Sequence, residues 1–222
     1  MSHTETSEKL RRGQDITTPA LVLRIRPYRD SDIMANLLTP TLGKIAVIAR
    51  HARGSRKRFP SSLDLFDRGA ARLTREKNGA LGVKEFTPSH SLQKIRADLD
   101  KLTLASLLCE TFDLLLQEES GEDSRIVFEI LDLSLNAIDE APDLKGSLRA
   151  VYVALSSLTK QAGIADLSEV PPGSRALSMA LDAIERFTER RLATRSTLGP
   201  MLKKISSGEP KRSASQSEVA GD

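Results

Sequence analysis

Residues 43–65 read GKIAVIARHARGSRKRFPSSLDL. The first part, with Ile45, Val47 and Ile48, consists of short and partly β-branched residues that suit a pleated, half-buried surface. The chain then enters a run of Arg50, His51, Arg53, Arg56, Lys57 and Arg58 with no acid among them. Gly54 and Ser55 loosen its middle and Phe59-Pro60 closes it. Leu63, Leu65 and Phe66 resume the apolar pattern at once. The reading is a cationic loop slung between two strands. Basic runs are often no more than solvated surface. Here the two strand arms and the absence of a compensating acid favour an anion-binding surface.

Outward from this stretch the alternation continues. In Ala20–Arg26, Leu21, Leu23 and Ile25 fall on one face and Val22, Arg24 and Arg26 on the other, which is a strand. Ile33–Thr39 makes a second strand, Lys44–Arg50 the third, Leu63–Arg75 the fourth and Leu81–Phe86 the fifth. Gly69 marks a bulge or a sharp barrel bend in the fourth. Lys77-Asn78-Gly79 is a hairpin turn, because Asn-Gly tolerates positive φ. Five short strands with turns at near-regular spacing predict a small closed barrel.

After Pro88 the period changes to that of helices. Ser91 is a candidate cap for a short helix to Ala97. Leu99–Leu116, Ile126–Ile138, Leu148–Leu158 and Leu177–Leu192 carry apolar residues at helical spacing. A break with a cap falls at Gly121–Ser124, and Leu198–Ile205 reads as a short basic turn. The expected organisation is α+β in two domains: a disordered start over 1–17, a five-stranded barrel over 18–88, an all-α domain over 89–205, and a disordered tail over 206–222. The tail holds one large apolar residue, Val219, and cannot bury a core.

Charge is distributed unevenly. The 222 residues carry a net charge of +3. Between Arg24 and Arg58 there are nine basic residues against two acids, Asp30 and Asp32, a local +7 that leaves the remainder at −4. Such asymmetry points to a polyanionic partner for the first third. The single cysteine, Cys109, excludes an internal disulfide and a multi-cysteine metal site, and its apolar helical setting makes it a core residue. His3, His51 and His90 have no partner at triad or metal-ligand spacing, and no enzymatic role is expected. No apolar leader and no apolar run of membrane length occur, so a cytoplasmic location is expected.

Binding is the better reading. Lys and Arg release counterions from phosphates, giving salt-sensitive affinity without sequence preference. Base stacking needs aromatics, and only Tyr28 and Phe59 flank the basic segment, with His51 a weaker third. Tyr28, between Pro27 and Arg29, reads as surface. Phe59 either stacks on a base or plugs the barrel mouth. Contacts should therefore fall mainly on the backbone, with base edges largely free.

The stretch TPALVLRIRPYRDSDIMANLLTPTLGKIAVIARHARGSRKRFPSSLDLFDRGAARL resembles the N-terminal domain of the RecO family. The marks are the leading strand ending in basic residues, Ser31-Asp32 before the second strand, and L-L-T-x-x-x-G-K-I. The A-R-x-A-R-x-S-x-x-R loop and the S-L-x-L-F after it complete them. RADLDKLTLASLLCETFDLLL is similar to the family's first long helices, so the resemblance runs from about Thr18 to Leu116. It implies an OB-fold followed by a helical domain, and a DNA repair and homologous recombination mediator of the bacterial nucleoid. It implies binding of single- and double-stranded DNA and annealing of complementary strands. As partners it implies RecR and single-stranded DNA-binding protein, and through them RecA.

By position Arg24, Arg26, Lys44, Arg50, Arg53, Arg56, Lys57 and Arg58 match the family's basic barrel face and loop, with His51 inside that loop. Arg29 is weaker, since Asp30 and Asp32 stand beside it. Many members carry a four-cysteine zinc site. The corresponding stretch here, Gly163–Ser178, is GIADLSEVPPGSRALS and has no cysteine, so no metal or other cofactor is expected. A basic rim for the acidic, apolar-ended tail of single-stranded DNA-binding protein could come from Arg186, Arg190, Arg191 and Arg195 on the fourth long helix. The plainer alternative is a solvated helix face. An adaptor that holds protein partners, with DNA contact secondary, is the rival function.

Overall fold

The computed structural model describes residues 14–207, apart from 56, 60–62, 78, 91 and 119–123; the side chains of 90 and 203–207 are also outside the description. The disorder expected at the two ends therefore falls almost wholly outside the described residues. So do Arg56, the turn residue Asn78, the cap Ser91 and the break at 121–123.

Five strands form a closed barrel in the order β1-β2-β3-β5-β4. They are β1 (Asp15–Tyr28), β2 (Asp32–Thr39), β3 (Gly43–Ala49), β4 (Arg68–Arg75) and β5 (Leu81–His90). All neighbours are antiparallel except β3 and β5, which run parallel at Val47↔Leu81 and Ile48↔Gly82. β1 serves two partners. Its first half pairs with β4 from Asp15↔Thr74 to Leu21↔Arg68, and its second half pairs with β2 as far as Tyr28↔Asp32. The register shifts between Val22 and Arg24, and this bulge lets one strand turn the barrel corner. Ala20, Val22, Ala35, Leu37, Ile45, Val47, Leu73 and Phe86 fill the interior.

β1 starts at Asp15, three residues before the expected edge of the barrel. β4 starts later than the alternation suggested, at Arg68. Leu63 is buried in the barrel, while Phe66, with φ 68°, turns the chain and packs among the helices. Gly69 behaves as its position predicted. The register of β4 against β5 shifts there, and a Cβ on Gly69 would stand 2.2 Å from the Thr87 carbonyl oxygen. Since that neighbour is backbone, Gly69→Ala is expected to lower stability by about 1–3 kcal/mol or more. Urea unfolding would read this as a lower midpoint at unchanged m-value.

Six helices follow: α1 (Gln93–Ala97), α2 (Leu99–Leu115), α3 (Ser124–Glu140), α4 (Leu144–Gln161), α5 (Ser174–Thr188) and α6 (Arg195–Ser207). Asp98 caps α2 by accepting from the Asp100 and Lys101 amides at 3.0 and 3.2 Å. Asp143 caps α4 through the Gly146 amide at 2.8 Å. α2 is the central helix, touching all five others and β1, with Leu104, Leu107, Leu108 and Phe112 fully buried. Lys101, also buried, ends α3 by donating to the Asp139 and Ala141 carbonyls at 2.6 and 2.8 Å.

α6 corrects the expected basic turn. Gly199-Pro200 reads locally as a break, yet the segment is helical with Leu198 and Met201 buried. A distant residue supplies what the local sequence lacks. The Glu110 carboxylate on α2 accepts from the Ala193 and Thr194 amides, at 2.6 and 3.0 Å, just before α6 begins. The connection from α4 to α5, the stretch without cysteines, is held by buried Leu167 and by the Tyr152 hydroxyl. That hydroxyl lies 2.8 and 2.7 Å from the Leu167 and Val170 carbonyl oxygens.

Barrel and helices share one apolar cluster. Leu21, Leu23, Leu38 and Phe66 pack with α2–α5. Arg96 of α1 adds a polar clamp, reaching Asp64 at 2.8 Å, Asp67 at 2.9 Å and the Leu65 carbonyl at 3.0 Å. None of the described helices is long and apolar enough to cross a membrane.

Candidate nucleic-acid interface

Three connections meet at one end of the barrel. Asp32 and Ser31, in and just before β2, hold the start of the β3–β4 connection. The His51 amide donates to Asp32 Oδ1 at 2.9 Å, His51 Nδ1 lies 3.0 Å from Ser31 Oγ, and the Arg53 amide donates to the Ser31 carbonyl at 3.2 Å. Arg50 reaches the β4–β5 turn with a two-pronged bond to Glu76, Nε to Oε1 at 2.9 Å and NH2 to Oε2 at 2.6 Å. His51, with φ 55°, makes the bend that starts the loop. The amides of Ser55 and Phe59 then step back to the His51 and Ser55 carbonyls, giving two tight turns.

Within this mouth the cations divide into two groups. Arg50 is neutralised. The Glu76 hydrogen bond holds its guanidinium above the usual value, and Arg50 holds the Glu76 carboxyl below its own. For Glu76 that contribution to stability is present above the ordinary carboxylate range and is lost as pH falls through the depressed value. Arg58 is turned inward, with NH2 donating to the Arg50 carbonyl at 3.2 Å and Nε to Ser55 Oγ at 3.3 Å. Arg26, Arg29, Arg53, Lys57 and Lys77 form no ion pair among the described residues, and all are exposed. Arg29 lies over the Tyr28 ring at 5.3 Å. Lys77 was not singled out from the sequence, because only the β4–β5 hairpin brings it beside Arg50.

The outer face of β1, β2 and β3 has three rows, which register defines as Leu21–Leu38–Lys44, Arg24–Asn36–Ala46 and Arg26–Met34–Ile48. The helices cover the first row and part of the second. Lys44, expected to face DNA, is 8% exposed, and its Nζ donates to the Asp113 carbonyl at 2.6 Å. Arg24, also assigned to DNA, lies 3.4 Å from Asp113 Oδ2, and Asn36 donates to Asp113 Oδ1 at 2.6 Å. Lys44 thus serves the joint between barrel and helices, while Arg24 touches it from a side chain that is 53% exposed. Only the third row, nearest the mouth, stays clear. Of the two readings of Phe59, the structure favours the plug over base stacking. Phe59 is 2% exposed, inside the barrel with Phe86, and has no face for a base. Tyr28 is half-buried beneath Arg29.

The arginines expected as a rim are spread over α5, the segment after it and α6. α5 ends at Thr188, where Glu189 takes φ 54°, so Arg190 and Arg191 lie beyond it. Arg195 begins α6 and is bound to Asp182 and Glu185. Arg186 stays on α5, donating to the Asp182 carbonyl at 3.2 Å. A groove of about 640 Å³ opens elsewhere, between Lys145, Leu148 and Arg149 of α4, Pro172 and Gly173 before α5, Ser174 at its start, and Leu202 of α6. Cys109 is buried, and burial pushes its thiol well above the usual value, so it is no nucleophile.

A closed five-stranded barrel in this strand order, with connections gathered at one mouth, is an OB-fold. Residues 14–92 match the family described as Recombination protein O N terminal. Similar curated proteins include the DNA repair protein RecO of Desulfatibacillum aliphaticivorans, 33% identical over 126 residues, 56% of this chain and 48% of that one. The DNA repair protein RecO of Anaeromyxobacter sp. (strain K) is 33% identical over 132 residues, 59% and 51% of the two chains. That of Syntrophus aciditrophicus (strain SB) is 32% identical over 150 residues, 67% and 57%. The chain spans about half the length of the curated relatives it matches. The barrel is a RecO N-terminal domain, and the resemblance read from the strand and loop motifs holds.

Proposed function

We propose that this protein is a DNA repair and recombination mediator. In this reading it binds single- and double-stranded DNA across the barrel mouth and anneals complementary strands. Together with RecR it helps load RecA on DNA coated by single-stranded DNA-binding protein. The observation that carries the reading is the gathering of Arg29, Arg53, Lys57 and Lys77 from three separate connections on a RecO-type barrel, with Arg26 on the adjoining clear row. Such cations hold phosphates and leave base edges free to pair, which is what annealing needs. An OB-fold ordinarily offers its β2–β3 face and these end connections to oligonucleotides. With the first row of that face and part of the second taken by the helices, the path shifts towards the mouth.

The test is single-strand affinity across a salt series. Five phosphate contacts give a slope of log K against log salt near −3.5, at roughly −0.7 per contact. A slope near zero would move the reading to the adaptor. The groove beside Lys145 and Arg149 favours a second binding role alongside DNA. Its apolar floor and basic edge suit the acidic, apolar-ended tail of single-stranded DNA-binding protein better than the separated Arg186, Arg190, Arg191 and Arg195.

Arg50 gives a sharper version of the same test. Glu76→Gln removes its counter-charge without changing the shape of the side chain. The slope should steepen by roughly 0.7 and low-salt affinity should rise, as one more cation becomes available to phosphate. An unchanged slope would put Arg50 off the path.

A further inference from the structure

The mouth also holds a hollow that phosphate binding alone does not use. It has a volume of about 260 Å³, and its apolar walls are Ile25, Pro27, Ile33 and Leu63. Arg26 and Arg53 stand at its edge, and neither forms an ion pair among the described residues. One acid, Asp64, borders it, and Arg96 engages that carboxylate at 2.8 Å.

The fold explains why the hollow exists. β1 leaves β4 at Leu21↔Arg68, and beyond that point its edge away from β2 faces the β3–β4 connection instead of a strand. That connection bonds to β1 only at Val22, through the Phe66 amide to the Val22 carbonyl at 3.2 Å and the Val22 amide to the Asp67 carbonyl at 2.9 Å. Past Val22 no backbone hydrogen bond joins the two among the described residues. The seam leaves main-chain donors and acceptors of residues 24–28 beside an apolar hollow with two cations at its lip.

We propose that this seam is a subsite for a single nucleotide, with one base lodged against Ile25 and Pro27 over buried Leu63 and its flanking phosphates held by Arg26 and Arg53. The inference rests on the DNA-binding reading and adds to it a specific place for one base. An apolar hollow favours the flat face of a base, while the strand edge, which past Val22 has no backbone partner in the connection among the described residues, supplies polar partners that any base can meet. One base is held and its neighbours stay outside, so the rest of the strand remains available for pairing. An extended peptide could also use a free strand edge, but it would have no need of the two cations.

The experiment compares oligodeoxythymidylate with an abasic oligonucleotide of the same length, which keeps every phosphate and removes every base. The wild-type protein should bind the intact strand about tenfold more tightly, with the same salt slope for both. Ile25→Phe, which fills the hollow from a half-buried position, should abolish that preference and leave the slope unchanged, with thermal unfolding confirming that the variant folds. Photocross-linking of a 4-thiothymidine strand to the wild-type protein gives an independent reading, with adducts expected at residues 25–27, 53 or 63–64. Equal binding of intact and abasic strands, or adducts confined to other segments, would overturn the subsite and leave the phosphate-binding reading standing. Failure of both strands to bind would instead remove the DNA reading itself.

Discussion

Asp113→Ala should cost about 3–5 kcal/mol of stability, because it removes one partner of a buried ionic joint and leaves the other behind. Asp113 is where α2 meets the barrel. Its Oδ1 accepts from Asn36 at 2.6 Å and lies 3.9 Å from Lys44 Nζ, and its carbonyl accepts from Lys44 at 2.6 Å. The side chains of Asp113 and Lys44 are only 9% and 10% exposed. After truncation the Lys44 ammonium would keep one carbonyl and lose the Asp113 carboxylate, in a place where water reaches it poorly. Arg24 adds little to this sum, since its side chain is 53% exposed and its distance to the carboxylate is 3.4 Å.

Urea unfolding would measure the loss. The double variant Lys44→Met, Asp113→Leu tests its origin. Replacing both charges with apolar groups of similar volume should recover most of the stability, since the uncompensated ammonium is gone. If the single variant loses less than about 1 kcal/mol, the Asp113 joint adds little to the shared apolar cluster and the Arg96 clamp, which also tie the barrel to the helices.

The sequence carried the barrel well because strands announce themselves locally. Alternation in β1, β2 and β3, the turn around Gly79, and Gly69 at a bend are all properties of a few adjacent residues. The charge run was legible only as a run. Three of these basic residues have carboxylate partners far along the chain. Lys44 and Arg24 are claimed by Asp113, 69 and 89 residues away, and Arg50 by Glu76, 26 residues away. Alternation does put Lys44 on the outer face of its strand, but it cannot say that a helix will lie over that face. Phe59 shows the same limit from the other side. A Phe-Pro at the end of a basic loop reads equally as a stacking platform or a plug of the mouth, and only closure of the barrel makes it interior. α6 was hidden because Gly199-Pro200 breaks helices locally, whereas the group that docks its start, Glu110, sits on α2.

The joint variant Arg53→Ala, Lys57→Ala, Lys77→Ala should bring the salt slope for single-stranded DNA from near −3.5 to near −1.4, at roughly −0.7 for each phosphate no longer neutralised. Between 50 and 200 mM salt the wild-type affinity would fall by about 100-fold and that of the variant by less than about 10-fold. At 50 mM the three cations together are worth on the order of 10²-fold in affinity by the same relation. These residues suit the test because the fold does not depend on them: all three side chains are exposed and none forms an ion pair among the described residues. A second variant, Arg72→Ala with Lys84→Ala, separates the mouth from net charge. Both side chains are about half exposed, and both bind Asp15 on the β1–β4–β5 side, at 3.4 and 2.7 Å. Removing them takes away two positive charges far from the gathered connections and should leave the slope where it was. If the two variants flatten the slope in proportion to charge removed, DNA is responding to the protein's overall field. If only the mouth variant does so, the strand runs over the β3–β4 and β4–β5 connections. Arg29 and Arg26 would then account for the slope that remains.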